Sequence, residues 1–192
     1  MSTESNILNE IKNELLYDSK LYSRDEINAK PSPIPSKAGF YAWFFKNIPS
    51  NIPTEHCFVR DGFVLLYLGI SPSSETSSAN LMKRIRSQHM NGNAAGSTLR
   101  FSLASILSES MDMTLIRKGS RIFLGENEAK LNTWLNEHAR ISFFEIEQPW
   151  LYEETLIEEL DLPINLEYNK KHPFYKSMKE LRSIARKSAI EI

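Results

Sequence analysis

The sequence contains only one cysteine, Cys57, among its 192 residues. A single thiol excludes both an internal disulfide framework and a cysteine cluster for zinc. The spacings HExxH and CxxC do not occur, and His56 and His138 have no partners nearby in the sequence, so nothing predicts a zinc site. A glycine-rich phosphate loop is also missing, and Cys57 has no local signature of a catalytic nucleophile.

Long apolar runs are missing as well. No run approaches the roughly 18 residues that a membrane-spanning helix needs. The first ten residues are polar and lack the apolar core of a secretory signal. These two absences predict a soluble, cytoplasmic protein with no membrane partner.

The chain has almost no excess of charge of either sign. It contains 23 Lys and Arg residues and 24 Asp and Glu residues, which gives a formal net charge of -1. Any contact with a polyanion must therefore come from a local patch. Such a patch exists between residues 76 and 108, which include no acidic residue but contain Lys83, Arg84, Arg86 and Arg100. An uncompensated basic patch predicts phosphate binding, and the alternative is a solvated helix face.

Apolar residues make up 41% of the chain, enough for one domain that buries roughly 70% of its extended surface. Two runs rich in aromatic and aliphatic residues, 38–45 and 63–70, predict β-strands. The turn signal Asp61-Gly62 before the second run favours an antiparallel pair. A third strand is predicted at 141–146.

Helical periodicity predicts helices at 5–16, 81–90, after Ser97 as a candidate N-cap, and at 126–138, 150–160 and 174–187. Prolines 31, 33 and 35 predict an extended connector before the first strand. The order of elements predicts an α+β domain with a small, mainly antiparallel three-stranded sheet flanked by helices. We expect residues 1–36 to form a helix and connector, 37–170 the main domain, and 171–192 a C-terminal helix packed on it.

Each aromatic strand carries a tyrosine beside a glycine, in Gly39-Phe40-Tyr41 and in Tyr67-Leu68-Gly69. A hydroxyl inside an apolar strand needs a hydrogen-bond partner. The spaced pair GFY and YLG resembles the signature of the GIY-YIG nuclease family. Three further elements extend the resemblance in the same order, namely the helix arginine Arg84, the helix glutamate Glu153 and the closing asparagine Asn165.

The resemblance implies a metal-dependent endonuclease that hydrolyses phosphodiester bonds in DNA. Glu153 would then bind one Mg²⁺ or Mn²⁺ ion, and Arg84 would steady the non-bridging phosphate oxygens. Tyr41 would accept the proton of the attacking water, and Tyr67 would orient the nucleophile or the phosphate. Asn165 would support the site, and its alternative role is a loop asparagine that turns its own backbone.

Helical geometry points to Glu153 independently of the resemblance. Glu153 shares one helical face with Leu156, Ile157 and Leu160. A carboxylate at the head of an apolar stripe is costly unless it meets a cation. The alternative is a first-turn glutamate that interacts with the helix dipole.

His89 departs from the family pattern. The family often has a histidine or tyrosine four residues after the arginine, whereas here Gln88 is at that position and His89 follows Arg84 by five. His89 lies four residues after Ile85 and so toward the apolar side. The sequence therefore leaves two roles open for His89, a catalytic imidazole that faces the site and a half-buried structural imidazole.

Basic residues outside the motifs are predicted to contact the substrate backbone, namely Lys83, Arg86, Arg100, Lys170 and Lys171. The predicted partner is DNA, including branched or structured DNA, with RNA left open. No helix-turn-helix or zinc-finger signature selects among these substrates. An alternative function is a non-catalytic module that retains the nuclease fold and only binds nucleic acid or serves as structure.

Overall fold

The computed structural model describes residues 3–192, so residues 1 and 2 of the predicted N-terminal segment lie outside the described residues. The strands are β1 (Gly39–Phe45), β2 (Val59–Arg60), β3 (Phe63–Ser71), β4 (Ile116–Lys118), β5 (Arg121–Phe123), β6 (Ala139–Glu145) and β7 (Ile190–Glu191). The α-helices are α1 (Thr3–Asn13), α2 (Arg24–Asn28), α3 (Thr98–Leu107), α4 (Glu128–His138), α5 (Glu153–Glu159) and α6 (Tyr175–Ser188).

Two further helical segments have π geometry, and two single turns are 3₁₀. The segment Glu14–Asp18 continues α1, and the segment Met82–Met90 is called here the arginine helix. The 3₁₀ turns Gly125–Asn127 and Pro149–Leu151 precede α4 and α5. None of the helices within residues 3–192 is long and apolar enough to cross a membrane.

The main sheet has the strand order β2-β3-β1-β6, and all its neighbours are antiparallel. The central strand β1 is buried along its whole length. Its side chains alternate between two cores: Tyr41, Trp43 and Phe45 face one, while Phe40, Ala42 and Phe44 face the other. Burial on both faces explains why this strand is a continuous apolar run.

The predicted α+β fold is confirmed, with the antiparallel pair β1 and β3 and with β6 as the third strand. The structure adds β2 as a fourth strand at the edge. Asp61 and Gly62 both have positive φ, +52° and +76°, which is the conformation of a tight hairpin turn between β2 and β3. A strand of two residues is too short to produce a periodic signal in the sequence.

The prolines predict an extended connector before β1. The connector is not extended throughout, because it contains the helix α2. Ser23 caps this helix: its side chain accepts a hydrogen bond from the Glu26 backbone nitrogen, and the Glu26 carboxylate accepts one from the Ser23 nitrogen at 2.8 Å. The Ser-x-x-Glu spacing of this capping box was the overlooked signal. The connector also bonds to the main sheet through Tyr22 and Ile141.

A second sheet of three short strands has the order β5-β4-β7. Strands β4 and β5 form a hairpin in which Gly119 has a φ of +59°, and the C-terminal strand β7 pairs parallel with β4. Helix α6 packs against α3 and leads directly into β7. The C-terminal segment is therefore tied to the rest of the domain at two places.

Candidate active site

The arginine helix brings Arg84 and His89 to the same place despite their five-residue spacing. In an α-helix, residues five apart point about 140° away from each other. The arginine helix has π geometry, with hydrogen bonds across five residues, as from the Asn91 nitrogen to the Arg86 carbonyl at 3.1 Å. A five-residue step therefore returns to the same face, and both side chains reach the hydroxyl of Tyr41.

The Tyr41 hydroxyl is the centre of this cluster. It lies 2.9 Å from His89 Nε2, and it accepts a hydrogen bond from Arg84 Nε at 3.2 Å. Burial raises the pKa of the Tyr41 hydroxyl well above its ordinary value, against the opposing charge of Arg84. The resting phenol is consequently neutral, and its proton is available to His89.

His89 continues the chain of hydrogen bonds into the core. Its Nδ1 lies 2.7 Å from the Ser97 hydroxyl, which also accepts a bond from the Arg100 nitrogen at the start of α3. Burial lowers the pKa of His89 well below its ordinary value, and the charges of Arg84 and Arg100 act in the same direction. A neutral imidazole donates at one nitrogen and accepts at the other, so a proton on Nδ1 leaves Nε2 free to accept from Tyr41.

The glycines of both motifs are explained by close approach. Gly69 is paired opposite Tyr41, and a Cβ at position 69 would collide with the Tyr41 hydroxyl. A Cβ on Gly39 would collide with the Phe144 carbonyl of β6 and press on Leu81 before the arginine helix. Only glycine lets the strands and the tyrosine ring approach this closely.

Arg84 is held in place by a further hydrogen bond. Its Nη1 donates to Gln88 Oε1 at 2.8 Å, so the residue at the position where the family often has histidine or tyrosine orients the guanidinium instead. Burial opposes the charge on Arg84, but the oxygens of Tyr41 and Tyr67 raise the pKa of the guanidinium. Arg84 is therefore a fixed cation beside both motif tyrosines.

Glu153 lies at the start of α5 and lines a cavity of about 290 Å³. Tyr67, Asn165, Glu167 and Arg182 line the same cavity, which is called here the catalytic cavity after the role proposed for it below. Burial raises the pKa of Glu153 to about 7, the neighbouring carboxylate of Glu167 acts in the same direction, and Arg84 opposes it. The cavity therefore holds a carboxylate whose charge is poorly compensated.

The carboxylates of this cavity fit a single divalent cation. Within residues 3–192 there is no cluster of three or more His, Cys, Asp or Glu side chains that could hold a metal ion. Mg²⁺ does not need one, because it usually takes one or two carboxylates and completes its shell with water and substrate oxygens. A cation beside Glu153 and Glu167 would remove the repulsion that raises the Glu153 pKa.

Asn165 lines the catalytic cavity, but its amide is used to hold the strand. Its Oδ1 accepts from the Leu68 nitrogen at 2.9 Å, and its Nδ2 donates to the Leu68 carbonyl at 2.8 Å. Strand β2 pairs only with the beginning of β3. Further along β3, these two hydrogen bonds satisfy backbone groups that a neighbouring strand would otherwise satisfy. Asn165 thus fixes the backbone between Tyr67 and Gly69.

The predicted substrate-binding residues lie in different environments. Arg86 donates to the Asn28 carbonyl at 3.1 Å, while Lys83 and Lys170 are exposed. Lys171 is exposed and paired with Glu158 at 2.9 Å. None of these four side chains lines the catalytic cavity.

The prediction that Arg100 contacts the substrate is wrong. Its side chain is fully buried, donates to Glu128 Oε2 from Nε at 3.1 Å and to the His89 carbonyl at 3.0 Å. A guanidinium removed from water and paired in this way stabilises the fold and holds the end of the arginine helix. Within the stretch without acidic residues, the charge of Arg100 is thus compensated by a glutamate 28 residues further along the chain.

Sequence reasoning missed Gln88, Glu167 and Arg182, and it identified Ser97 only as a helix cap. Ser97 does cap α3, as predicted, and it also contacts His89. Glu167 follows Asn165 by two residues, and this short spacing could have indicated that Glu167 lies near the site. Arg182 is contributed by the C-terminal helix, and no local pattern connects it to the motifs.

A family model described as the GIY-YIG catalytic domain matches residues 39–184, which include both motif strands, the arginine helix and α5. Neither a search of curated proteins nor a search of solved structures finds a significant match.

Proposed function

The chain belongs to the GIY-YIG family of nucleases, and from this premise we propose that it is a metal-dependent endonuclease that hydrolyses phosphodiester bonds in DNA. The observation that carries the proposal is the joint contact of Arg84 and His89 with the Tyr41 hydroxyl. Tyr67 links this cluster to Glu153, because its ring centre lies 6.5 Å from that of Tyr41 and its side chain lines the same cavity as Glu153. The groups proposed as proton acceptor, phosphate-binding cation and metal-binding carboxylate therefore belong to one region of the domain.

Proton transfer would proceed through Tyr41 to His89. As the attacking water passes a proton to the Tyr41 oxygen, the phenolic proton moves to His89 Nε2 across 2.9 Å. Because the two proton transfers are coupled, Tyr41 does not become a free phenolate, which burial disfavours. The imidazolium that forms donates from Nδ1 to Ser97, and the negative charge of the bound phosphate offsets its repulsion with Arg84.

The remaining groups would bind and orient the scissile phosphate. Arg84 suits the non-bridging oxygens because its planar fork can hold two of them at once. Tyr67 shares the catalytic cavity with Glu153 and would orient the nucleophile. When bound at Glu153 beside Glu167, a divalent cation would supply Lewis-acid stabilisation of the leaving oxygen.

Two features favour the alternative of a non-catalytic module, namely the shifted spacing of His89 and the formal net charge of -1. The π geometry of the arginine helix accommodates that spacing, because the imidazole reaches Tyr41. The geometry therefore supports a catalytic role for His89 and favours the nuclease.

Cleavage of supercoiled plasmid DNA tests the proposal. We expect nicked and linear products in Mg²⁺ or Mn²⁺ and none in EDTA, since the Glu153 site needs a cation. The Arg84→Ala variant, purified identically, should cleave at least a hundredfold more slowly, which excludes a contaminating nuclease. Equal products from both proteins, or none from either, would contradict the proposal.

Ser97 is a positioning residue in this scheme, because it acts through His89. Ser97→Ala should lower kcat about tenfold and leave the KM for DNA nearly unchanged, since the imidazolium loses its acceptor. It should also lose about 1 kcal/mol of stability as a helix cap. Steady-state kinetics and thermal melts measure both effects.

The matched control is Ser23→Ala, which removes the cap of α2, a helix that lines no part of the catalytic cavity and has no hydrogen bond to Tyr41 or His89. We expect a similar loss of stability with no change in kcat, and Ser97→Thr should restore the rate. If both cap variants lose kcat equally, Ser97 has no specific effect on His89.

A further inference from the structure

A second groove opens beside the catalytic cavity, and Thr98 and Arg182 line both. Four arginines from distant parts of the chain meet in this groove, namely Arg84, Arg121, Arg182 and Arg186. The arginine helix, β5 and α6 supply them. We call it the arginine groove, and it continues the catalytic cavity on the side of α6.

The C-terminal helix presents its arginines on one face. Lys179, Arg182 and Arg186 follow at steps of three and four, so they share a stripe along α6. Phe101 of α3 is the platform for the two arginines, whose guanidinium carbons lie 4.9 Å and 4.5 Å from the ring centre. Stacking on one ring fixes both guanidinium groups. Arg182 Nη1 donates to the Ser102 hydroxyl and Arg186 Nη1 to the Arg182 carbonyl, each at 3.4 Å, and the remaining N–H groups are left for a ligand.

Carboxylates do not neutralise this cluster. Within residues 3–192, ion pairs up to 4.0 Å join Arg60 and Arg100 to carboxylates, but none joins any of the four groove arginines. Burial, followed by the charge of Arg186, lowers the pKa of Arg182 to about 10. Arg182 therefore stays charged at neutral pH, and a bound anion would relieve its repulsion with Arg186.

The size of the groove favours a chain of phosphates over a small molecule. Its volume of about 230 Å³ is below the roughly 300–1,000 Å³ usual for small-molecule sites. It adjoins the catalytic cavity at Thr98 and Arg182 and is itself lined by Arg84, so a strand whose scissile phosphate lies near Arg84 can continue past Arg182. Arginine forks match phosphate oxygens in pairs.

We propose that the arginine groove binds the DNA backbone next to the scissile phosphate, with Arg182 and Arg186 contacting successive phosphates and Arg121 closing the groove from β5. The inference rests on the proposed function, since it takes the DNA substrate as the ligand. Contacts of this kind position the strand and are independent of base sequence.

The test compares Arg182→Gln/Arg186→Gln with Lys176→Gln/Lys187→Gln. The second pair removes the same charge from the same helix, but neither lysine lines the groove. Binding of a fluorescein-labelled 20-base-pair DNA duplex is measured by anisotropy in EDTA, over a range of salt concentrations. EDTA prevents cleavage, so binding is measured separately from catalysis.

For the arginine pair we expect affinity to fall roughly ten- to a hundredfold. The slope of log K against log salt should become less steep by about two, because two phosphate contacts are lost. Two duplexes of unrelated sequence should show the same change, and the lysine pair should stay within about twofold of the wild type.

Arg121→Gln gives a second variant that does not disturb the core, because Arg121 is exposed on its hairpin. It should reduce the slope by about one. Thermal melts establish that each variant is folded. If the groove variants keep the wild-type affinity and slope, if both pairs lose affinity equally, or if an RNA duplex of the same sequence binds more tightly than DNA, the inference is wrong.

The outcome is separable from that of the proposed nuclease activity. A wild-type protein that cleaves DNA while the groove variants bind normally would overturn the inference alone. A protein that binds DNA through these arginines but does not cleave it in Mg²⁺ would overturn the nuclease activity and leave the groove as a DNA-binding site.

Discussion

Replacing Glu153 by glutamine is expected to lower DNA cleavage about a thousandfold or more and to stabilise the folded protein at pH 8. The loss follows because the amide cannot replace the carboxylate as a ligand for the divalent cation. Single-turnover cleavage at saturating Mg²⁺ measures it. A loss of activity together with a gain in stability identifies a residue that is retained for function.

The gain in stability follows from the raised pKa of Glu153. Its pKa is about 7 in the folded protein against 4.5 as the reference value, so the folded state holds the proton more tightly than the unfolded state. The resulting destabilisation is absent below about pH 4.5, grows as the pH rises, and is complete above about pH 7. It amounts to about 2 kcal/mol, which glutamine removes.

Thermal melts at pH 5 and pH 8 measure this difference. Glu154→Gln is the matched control, since Glu154 is the exposed neighbour in the same first turn of α5. Mg²⁺ should raise the Tm of the wild type and of the control, but not that of Glu153→Gln. A Glu153→Gln protein that is less stable at pH 8, or that still responds to Mg²⁺, would contradict this assignment.

Replacing Tyr41 by phenylalanine is expected to slow cleavage by roughly a hundred- to ten thousandfold, because the water loses its route for the proton to His89. The variant also leaves His89 Nε2 and Arg84 Nε without the oxygen that both contact, which costs about 1–3 kcal/mol of stability. Single-turnover rates and chemical denaturation measure the two effects separately.

Tyr17→Phe is the control for Tyr41→Phe, because Tyr17 is exposed and packs against Phe58 near the N-terminal helix. It should retain both the rate and the stability of the wild type. A Tyr41→Phe protein with the wild-type rate would show that the hydroxyl has no part in the chemistry.

The fold could be predicted where its signals are local. Strands β1 and β3 are apolar runs of seven and nine residues bounded by turns, and their bounds lie within one residue of the prediction. The β4–β5 hairpin and its pairing with β7 could not be predicted, because each of these strands has only two or three residues and β7 lies far from β4 along the chain.

The contacts within the candidate site depend on tertiary structure more than the positions of the strands do. The motif residues could be found from their order, but the contact of His89 with Tyr41 depends on π geometry, which the sequence of the arginine helix does not indicate. Arg100 was misassigned because its partner Glu128 belongs to a different helix. The arginine groove draws on three separate segments, so charge counting along the chain could not reveal it.

The central claim is that Tyr41 and His89 act as one proton-transfer unit in a metal-dependent nuclease site. The most direct test is a double-mutant cycle of single-turnover cleavage rates in Mg²⁺, with Tyr41→Phe, His89→Asn and the double variant. We predict that each single variant is at least a hundredfold slower than the wild type and that the double variant is no slower than the worse single variant. Losses that multiply in the double variant, or a wild-type protein that does not cleave DNA, would contradict the claim.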